Sequence, residues 1–353
     1  MKSLKNLSEK SAKKLFFVLS AVLILLIILL ALFPLLDGDG RKHEAVTYSM
    51  DTYVQQTVYG KTRETAAAAA ANAVQSLADR ASWDGENSEI VTLNAQAGKE
   101  WITLSEDIFS VLETAKDVSK RSGGAFDITL APVSRLWDFE NERSEVPDSD
   151  LLNELLQYVG QENLRLGAAD HSASLKFNGN AVDLTPVLHG AACNAASAVY
   201  KEFEVSGAIV SVGHSVGLVG KKPDGTLWNM AVPTPDGTDT LGTVSVREGF
   251  LSSASVSENA FEENGRQYHA ILDPETGYPA ESNLLSVTVY SRDGVLSDAL
   301  AYASVVLGYE DSLPLLEAYG ADAIFVRLDN SVAVTAGLND AFRLTNENFR
   351  MQK

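Results

Sequence analysis

The sequence predicts an α+β domain of mixed helices and mainly antiparallel short strands, preceded by one N-terminal transmembrane helix. Three observations carry this. Helical and strand patterns intermix without a regular β–α alternation. The strands are brief and are broken at turns such as Pro223-Asp224-Gly225 and Pro235-Asp236-Gly237. The run from Leu15 to Leu36 holds no charge, Asn or Gln over 22 residues, which is a membrane-spanning length. With 353 residues, 45% of them hydrophobic and 21% charged, the chain can bury a sizeable core.

Residues 1–14 carry Lys2, Lys5, Lys10, Lys13 and Lys14 and are expected in the cytoplasm. The apolar run 15–36 is expected as an uncleaved single-pass anchor, since no small-residue cleavage pattern follows it. That orientation puts the globular part outside the cytoplasm, at the cell membrane. Residues 37–44 form a polar linker, and the domain spans 45–353. Val46 to Gly60 reads as a strand. Lys61 to Ala81, with alanines at 66–71, reads as a helix because alanine loses least on entering one. Ser105 is expected to cap a second helix ending at Gly123-Gly124, and Ala125 to Leu130 reads as a strand. A third helix is expected from Ser149 to Val159 and short strands near Leu164, Leu175 and Val182. An alanine-rich helix from Val187 to Phe203 follows, then brief strands to Val246. Leu285 to Ser291 reads as a strand, with helices at Ser297–Leu307 and Asp311–Ala318 and two closing strands.

Composition narrows the function. The first 43 residues hold 7 of the 28 Lys and Arg but only 3 of the 47 Asp and Glu, so the domain is more acidic than the net charge of -19 implies. Such a surface repels phosphate backbones, and no nucleic-acid partner is expected. Cys193 is the single cysteine, which excludes an intrachain disulfide and a thiolate zinc site. The densest turn chemistry lies in Tyr268 to Pro279: Asp273 suits the first position of a type I turn, Pro274 presets φ, and Gly277 can take φ > 0.

Several motifs then fall into one order. Met50-Asp51-Thr52, Ser88 to Asn94, Gly124 to Pro132, Asp183-Leu184, Ile271 to Pro279 and Ser297-Asp298-Ala299-Leu300 together resemble the FAD:protein FMN transferase (ApbE) family. The resemblance implies a membrane-tethered extracytoplasmic domain. Its substrate would be FAD, used with Mg²⁺, and its protein partner a flavin acceptor whose Thr or Ser hydroxyl receives FMN. On the same ground Met50, Ala125, Phe126, Asp127, Asp183, His189 and Ile271 are expected to line the FAD site, and the Pro186 carbonyl, Asp298 and Tyr302 occupy the metal positions.

Other positions depart from the family pattern. Thr185-Pro186 replaces a glycine pair, which removes an N–H and fixes φ where backbone would approach phosphate. His189 replaces a lysine, Tyr302 a threonine, and Ala270 the histidine of the corner motif. His269 is one residue away, and in extended backbone its side chain points to the opposite face. Gly213-His214-Ser215 and Ser253-Ala254-Ser255 also depart from the family's turns. Two readings follow: an active transferase, or a degenerate membrane-anchored flavin-binding or scaffolding module.

Overall fold

The computed structural model describes residues 40–139 and 145–352. The anchor expected at 15–36 and the basic segment before it lie outside the described residues. Among the described residues, no helix is long and apolar enough to cross a membrane.

The domain opens with β1 (Lys42–Ser49) and β2 (Thr52–Tyr59). The single strand expected over Val46–Gly60 is in fact this hairpin, because Met50 and Asp51 both adopt φ 54°. That two-residue turn has the twist a hairpin requires, but Met-Asp is not its usual Asn-Gly signal. Next come α1 (Arg63–Ala81), α2 (Glu89–Ala95), β3 (Ile102–Thr103) and α3 (Glu106–Arg121). Ser88 starts α2 by accepting from the N–H groups of Ile90 and Val91. Ser105 sits at the start of α3 but does not cap it. Its hydroxyl donates to Glu89 at 2.8 Å and accepts from Arg80 at 2.5 Å, so the charged pair outcompetes the helix end.

The strand expected at 125–130 is a turn and a 3₁₀ segment, Ile128–Leu130, leading into α4 (Ala131–Trp137). Asp127 accepts from both the N–H and the hydroxyl of Thr129, a local closure that competes with a sheet ladder. α5 (Ser149–Leu156), β4 (Leu164–Gly167) and β5 (Ser172–Leu175) follow. No strand forms at Val182, whose N–H and carbonyl are both taken by the Asn94 side chain, at 2.8 and 2.9 Å.

The second half contains α6 (Thr185–Glu202), β6 (Gly207–Val212), β7 (Ser215–Gly220), β8 (Trp228–Pro233), β9 (Thr240–Val246) and β10 (Gly249–Ser255). After β11 (Phe261–Glu263), β12 (Arg266–Tyr268) and β13 (Leu284–Ser291) comes α7 (Gly294–Tyr319), broken at Gly308 (φ 79°), as the two expected helices require. Four short strands close the chain where two are expected: β14 (Asp322–Arg327), β15 (Ser331–Val334), β16 (Phe342–Leu344) and β17 (Arg350–Met351).

Nine strands form one sheet in the order β1-β2-β6-β7-β10-β13-β14-β15-β17, antiparallel except for the last pair. Helices α1, α6 and α7 cover one face, and the small sheet β16-β9-β8 covers part of the other. In β14, Ala323 and Phe325 join the helix-side core, while Ile324 and Val326 pack with Trp228 and Val244 on the opposite side. Burial on both faces explains the continuous apolar run of that strand. The alanines of α1 are a contact surface as well as helix formers. Ala66, Ala67 and Ala70 are buried, as are Ala191, Ala192 and Ala196 of α6, and the two helices pack closely. A third cluster of Val133, Trp137, Leu152, Tyr268 and Leu272 holds the corner at 273–279.

Candidate functional site

The corner keeps the conformation its residues dictate. Gly277 takes φ 71°, its N–H donates to the Asp273 carbonyl at 2.7 Å, and Asp273 N–H donates to Tyr278 at 2.8 Å. Trp137 donates its indole N–H to the Gly277 carbonyl at 2.7 Å, which ties the turn to α4. The segment leading into this corner presents Ala270 and Ile271 to a cavity of about 890 Å³. The β1–β2 turn, the loop after α1, the first turns of α6, the β6–β7 turn, the segment following β10 and one side of α7 supply the rest of its wall. Its size suits an organic ligand with several rings.

Two backbone features set the floor. The β6–β7 turn consists of Gly213 and His214, with Gly213 at φ 50°, and a β-carbon there would overlap the His189 ring. Gly190 of α6 and Gly294 of α7 meet so closely that a methyl on either would overlap the other's carbonyl oxygen. This crossing brings α6 to Asp298. The Asp298 carboxylate accepts the Gly190 N–H and the Ser215 hydroxyl, each at 2.6 Å, and Ser252 donates to Ser215 at 3.2 Å. Asp293, not Asp298, caps α7 by accepting the Leu296 N–H. Burial pushes the Asp298 carboxyl up to about 6, against the hydrogen bonds that favour its ionised form.

His214 Nε2 lies 2.6 Å from Glu258 Oε1, with both side chains a little under half exposed. The hydrogen bond to Glu258 raises the His214 pKa above its ordinary value, and burial opposes the rise only in part. His189, with its ring centroid 5.6 Å from that of His214, is held down to about 4 by burial and by its neighbour. It is therefore neutral at pH 7, and no cation stands at that position. Asp51, Asp79, Asp84, Glu86, Glu258 and Asp298 all line the cavity, whereas none of its lining residues among those described is Lys or Arg.

The residues expected at the site from the sequence fall along two neighbouring hollows. Met50, Pro186, His189, Ile271, Asp298 and Tyr302 line the large cavity. Ala125, Phe126, Asp127 and Asp183 line an adjoining recess of about 50 Å³ that shares Pro186, Ala270 and Tyr302 with it. The two small carboxylates are committed locally, Asp127 to Thr129 and Asp183 to the N–H and hydroxyl of Thr185. Burial raises the Asp127 pKa. His269 faces away, with Nε2 3.2 Å from the Ala280 carbonyl, so it does not replace the histidine absent at Ala270. Sequence reasoning misses Glu258 and the loop from Ser82 to Asn87, and quotes Asp51 only as part of a motif. Only Asp84-Gly85 in that loop carries a turn signal, and nothing local marks Glu258.

The metal positions fit Mg²⁺ poorly. Magnesium demands near-octahedral oxygen ligation, usually with one or two carboxylates. The set here offers one carboxylate with both oxygens already accepting hydrogen bonds, a backbone carbonyl, and a tyrosine where a small hydroxyl would stand. Among the described residues, no group of three or more His, Cys, Asp or Glu could hold an ion.

The fold and cavity thus define an α+β domain with a cavity of ligand-binding size between a helix layer and the turns of a large antiparallel sheet. The chain belongs to the ApbE family, whose model matches residues 50–325. A FAD:protein FMN transferase of Treponema pallidum is 32% identical over 284 residues, covering 76% of this chain and 78% of the relative. One from Klebsiella pneumoniae is 25% identical over 252 residues, 70% and 78% of the two chains. Among solved structures, an ApbE protein of Thermotoga maritima superimposes with a TM-score of 0.77 at 25% identity, covering 84% of this chain and 98% of the other. The apo flavinyl transferase ApbE of Pseudomonas stutzeri gives 0.76 at 23% identity, over 87% and 99%, and shows the shared fold.

Proposed function

We propose that this chain transfers the FMN moiety of FAD to a Thr or Ser hydroxyl of an extracytoplasmic protein acceptor, from a domain tethered to the membrane by residues 15–36. One observation carries it. Motif positions scattered from Met50 to Tyr302 converge on a cavity of about 890 Å³ and its adjoining recess, as a shared ligand requires. The relatives' names give the substrates. Ile271 and the Gly213–Ser215 segment line the large cavity, and Phe126 lines the recess beside it. Magnesium, which the family resemblance implies, is outside this proposal because the donor set does not fit it.

A flavin-binding module without transfer activity is favoured by one different observation: the cavity has neither a Lys or Arg lining it nor the histidine of the corner motif, so charge stabilisation of a transferring phosphoryl group is thin. Incubating the full chain with FAD and a protein acceptor of the Treponema pallidum relative separates the two. Transfer predicts an acceptor band that stays fluorescent after denaturation and persists in EDTA. A chain that quenches flavin fluorescence but labels nothing is a binding module, and one that does neither overturns both. For the topology, protease added to intact cells is expected to digest the domain; complete protection would rule out an outside location.

A further inference from the structure

The cavity lining leaves few groups able to take a proton from an entering hydroxyl. His189 is buried and held neutral with a low proton affinity. Asp298 has both oxygens engaged by Gly190 and Ser215. Asp127 and Asp183 each hold a neighbouring threonine, and His269 is turned to the Ala280 carbonyl. His214 differs from all of these. It lies on a two-residue turn fixed by Gly213, its Nε2 is 2.6 Å from Glu258, and both side chains reach the cavity while remaining partly open to it. The short contact fixes the tautomer: Nε2–H donates to the carboxylate, and Nδ1 carries the lone pair.

We propose that His214 and Glu258 are the proton-accepting pair of this site, His214 Nδ1 removing the proton of the acceptor hydroxyl while Glu258 orients the ring and stabilises the imidazolium. The proposal rests on the transfer activity proposed above. In the step, the hydroxyl oxygen forms a bond to the FMN phosphorus and its proton passes to His214. The bond from that phosphorus to the bridging oxygen breaks, and AMP leaves with the electron pair. His214 then returns its proton to solvent through its exposed edge. The pair comes from the β6–β7 turn and from the segment after β10, so it owes nothing to the corner where Ala270 stands.

The pH dependence has a definite sign. Glu258 and Asp298 raise the proton affinity of His214, and the nearby His189 is neutral at the relevant pH. Asp51, Asp79, Asp84 and Glu86 are the other carboxylates of the wall, and negative charge near an imidazole favours its protonated form. The base form therefore fills only above the ordinary histidine value of 6.5.

The test uses the full chain with FAD and the acceptor named above, reading covalent labelling from pH 5.5 to 9 and FAD binding by flavin quenching. For the unaltered chain, labelling is expected to rise through an inflection above pH 6.5. His214→Ala is expected to lower the rate at pH 7.5 by about 10²-fold or more, with FAD affinity changed less than threefold. Glu258→Gln is expected to move the inflection downward, which loss of a merely structural contact would not do. If His214→Ala misfolds, His214→Asn and the Glu258→Gln profile carry the test. Labelling by the histidine variants at rates within threefold of the unaltered chain, or an inflection unmoved in Glu258→Gln, overturns the proposal alone. No labelling by the unaltered chain overturns the transfer activity itself and the proposal with it.

Discussion

Asp298 shows how much one side chain depends on its surroundings. Five residues after Asp293 it could pass for a carboxylate drawn to a helix start, yet Asp293 already fills that role and Asp298 instead joins α6, α7 and the start of β7. Its pKa in the fold is about 6, above the ordinary 3.8. The proton-linked part of its contribution to stability is therefore complete below about pH 3.8 and is lost as pH rises through about 6. Asp298→Asn is expected to flatten the dependence of melting temperature on pH between these values; an unchanged slope would assign the titration elsewhere. Asp298→Ala leaves the Gly190 N–H and the Ser215 hydroxyl without their acceptor, and is expected to cost about 1–3 kcal/mol in urea unfolding at pH 7.

At the scale of elements, the α6–α7 crossing and the tryptophan-tied corner position the site. Gly190→Ala places a methyl against the Gly294 carbonyl, and the helices must part. The expected loss is about 1–3 kcal/mol or somewhat more, accompanied by weaker FAD binding because α6 carries His189 and Pro186. An unshifted urea midpoint would show that the crossing relaxes freely. Trp137→Phe keeps most of the aromatic packing with Phe139, Tyr268 and Tyr278 but leaves the Gly277 carbonyl without its donor. It is expected to cost about 1 kcal/mol, and Trp137→Ala about 3–5 kcal/mol. The corner itself is legible in the sequence because Asp, Pro and Gly act on their own neighbours. The β1–β2 reversal is not, since Met50 and Asp51 are pressed into positive φ by strand pairing on either side and not by their own preference.

At the scale of the molecule, charge governs how an anionic ligand arrives. The chain carries a net charge of -19, and six carboxylates line the cavity. Salt screens such repulsion within about 10 Å at 0.1 M, so FAD binding is expected to tighten when ionic strength rises from 0.01 to 0.15 M. Weakening over that range would reveal a cationic contact that these residues do not provide. The sequence by itself determined the α+β class, the alanine and capping patterns of the helices, the turn at 273–279 and the family motifs, because each depends on residues within a few positions of one another. It also exposed the altered positions Pro186, His189, Ala270 and Tyr302. Only the tertiary structure decided that residues of most of these motifs line one cavity and its adjoining recess, and that Glu258 meets His214. That pairing forms when the nine-stranded sheet brings distant turns to one place, and no local propensity encodes that distance.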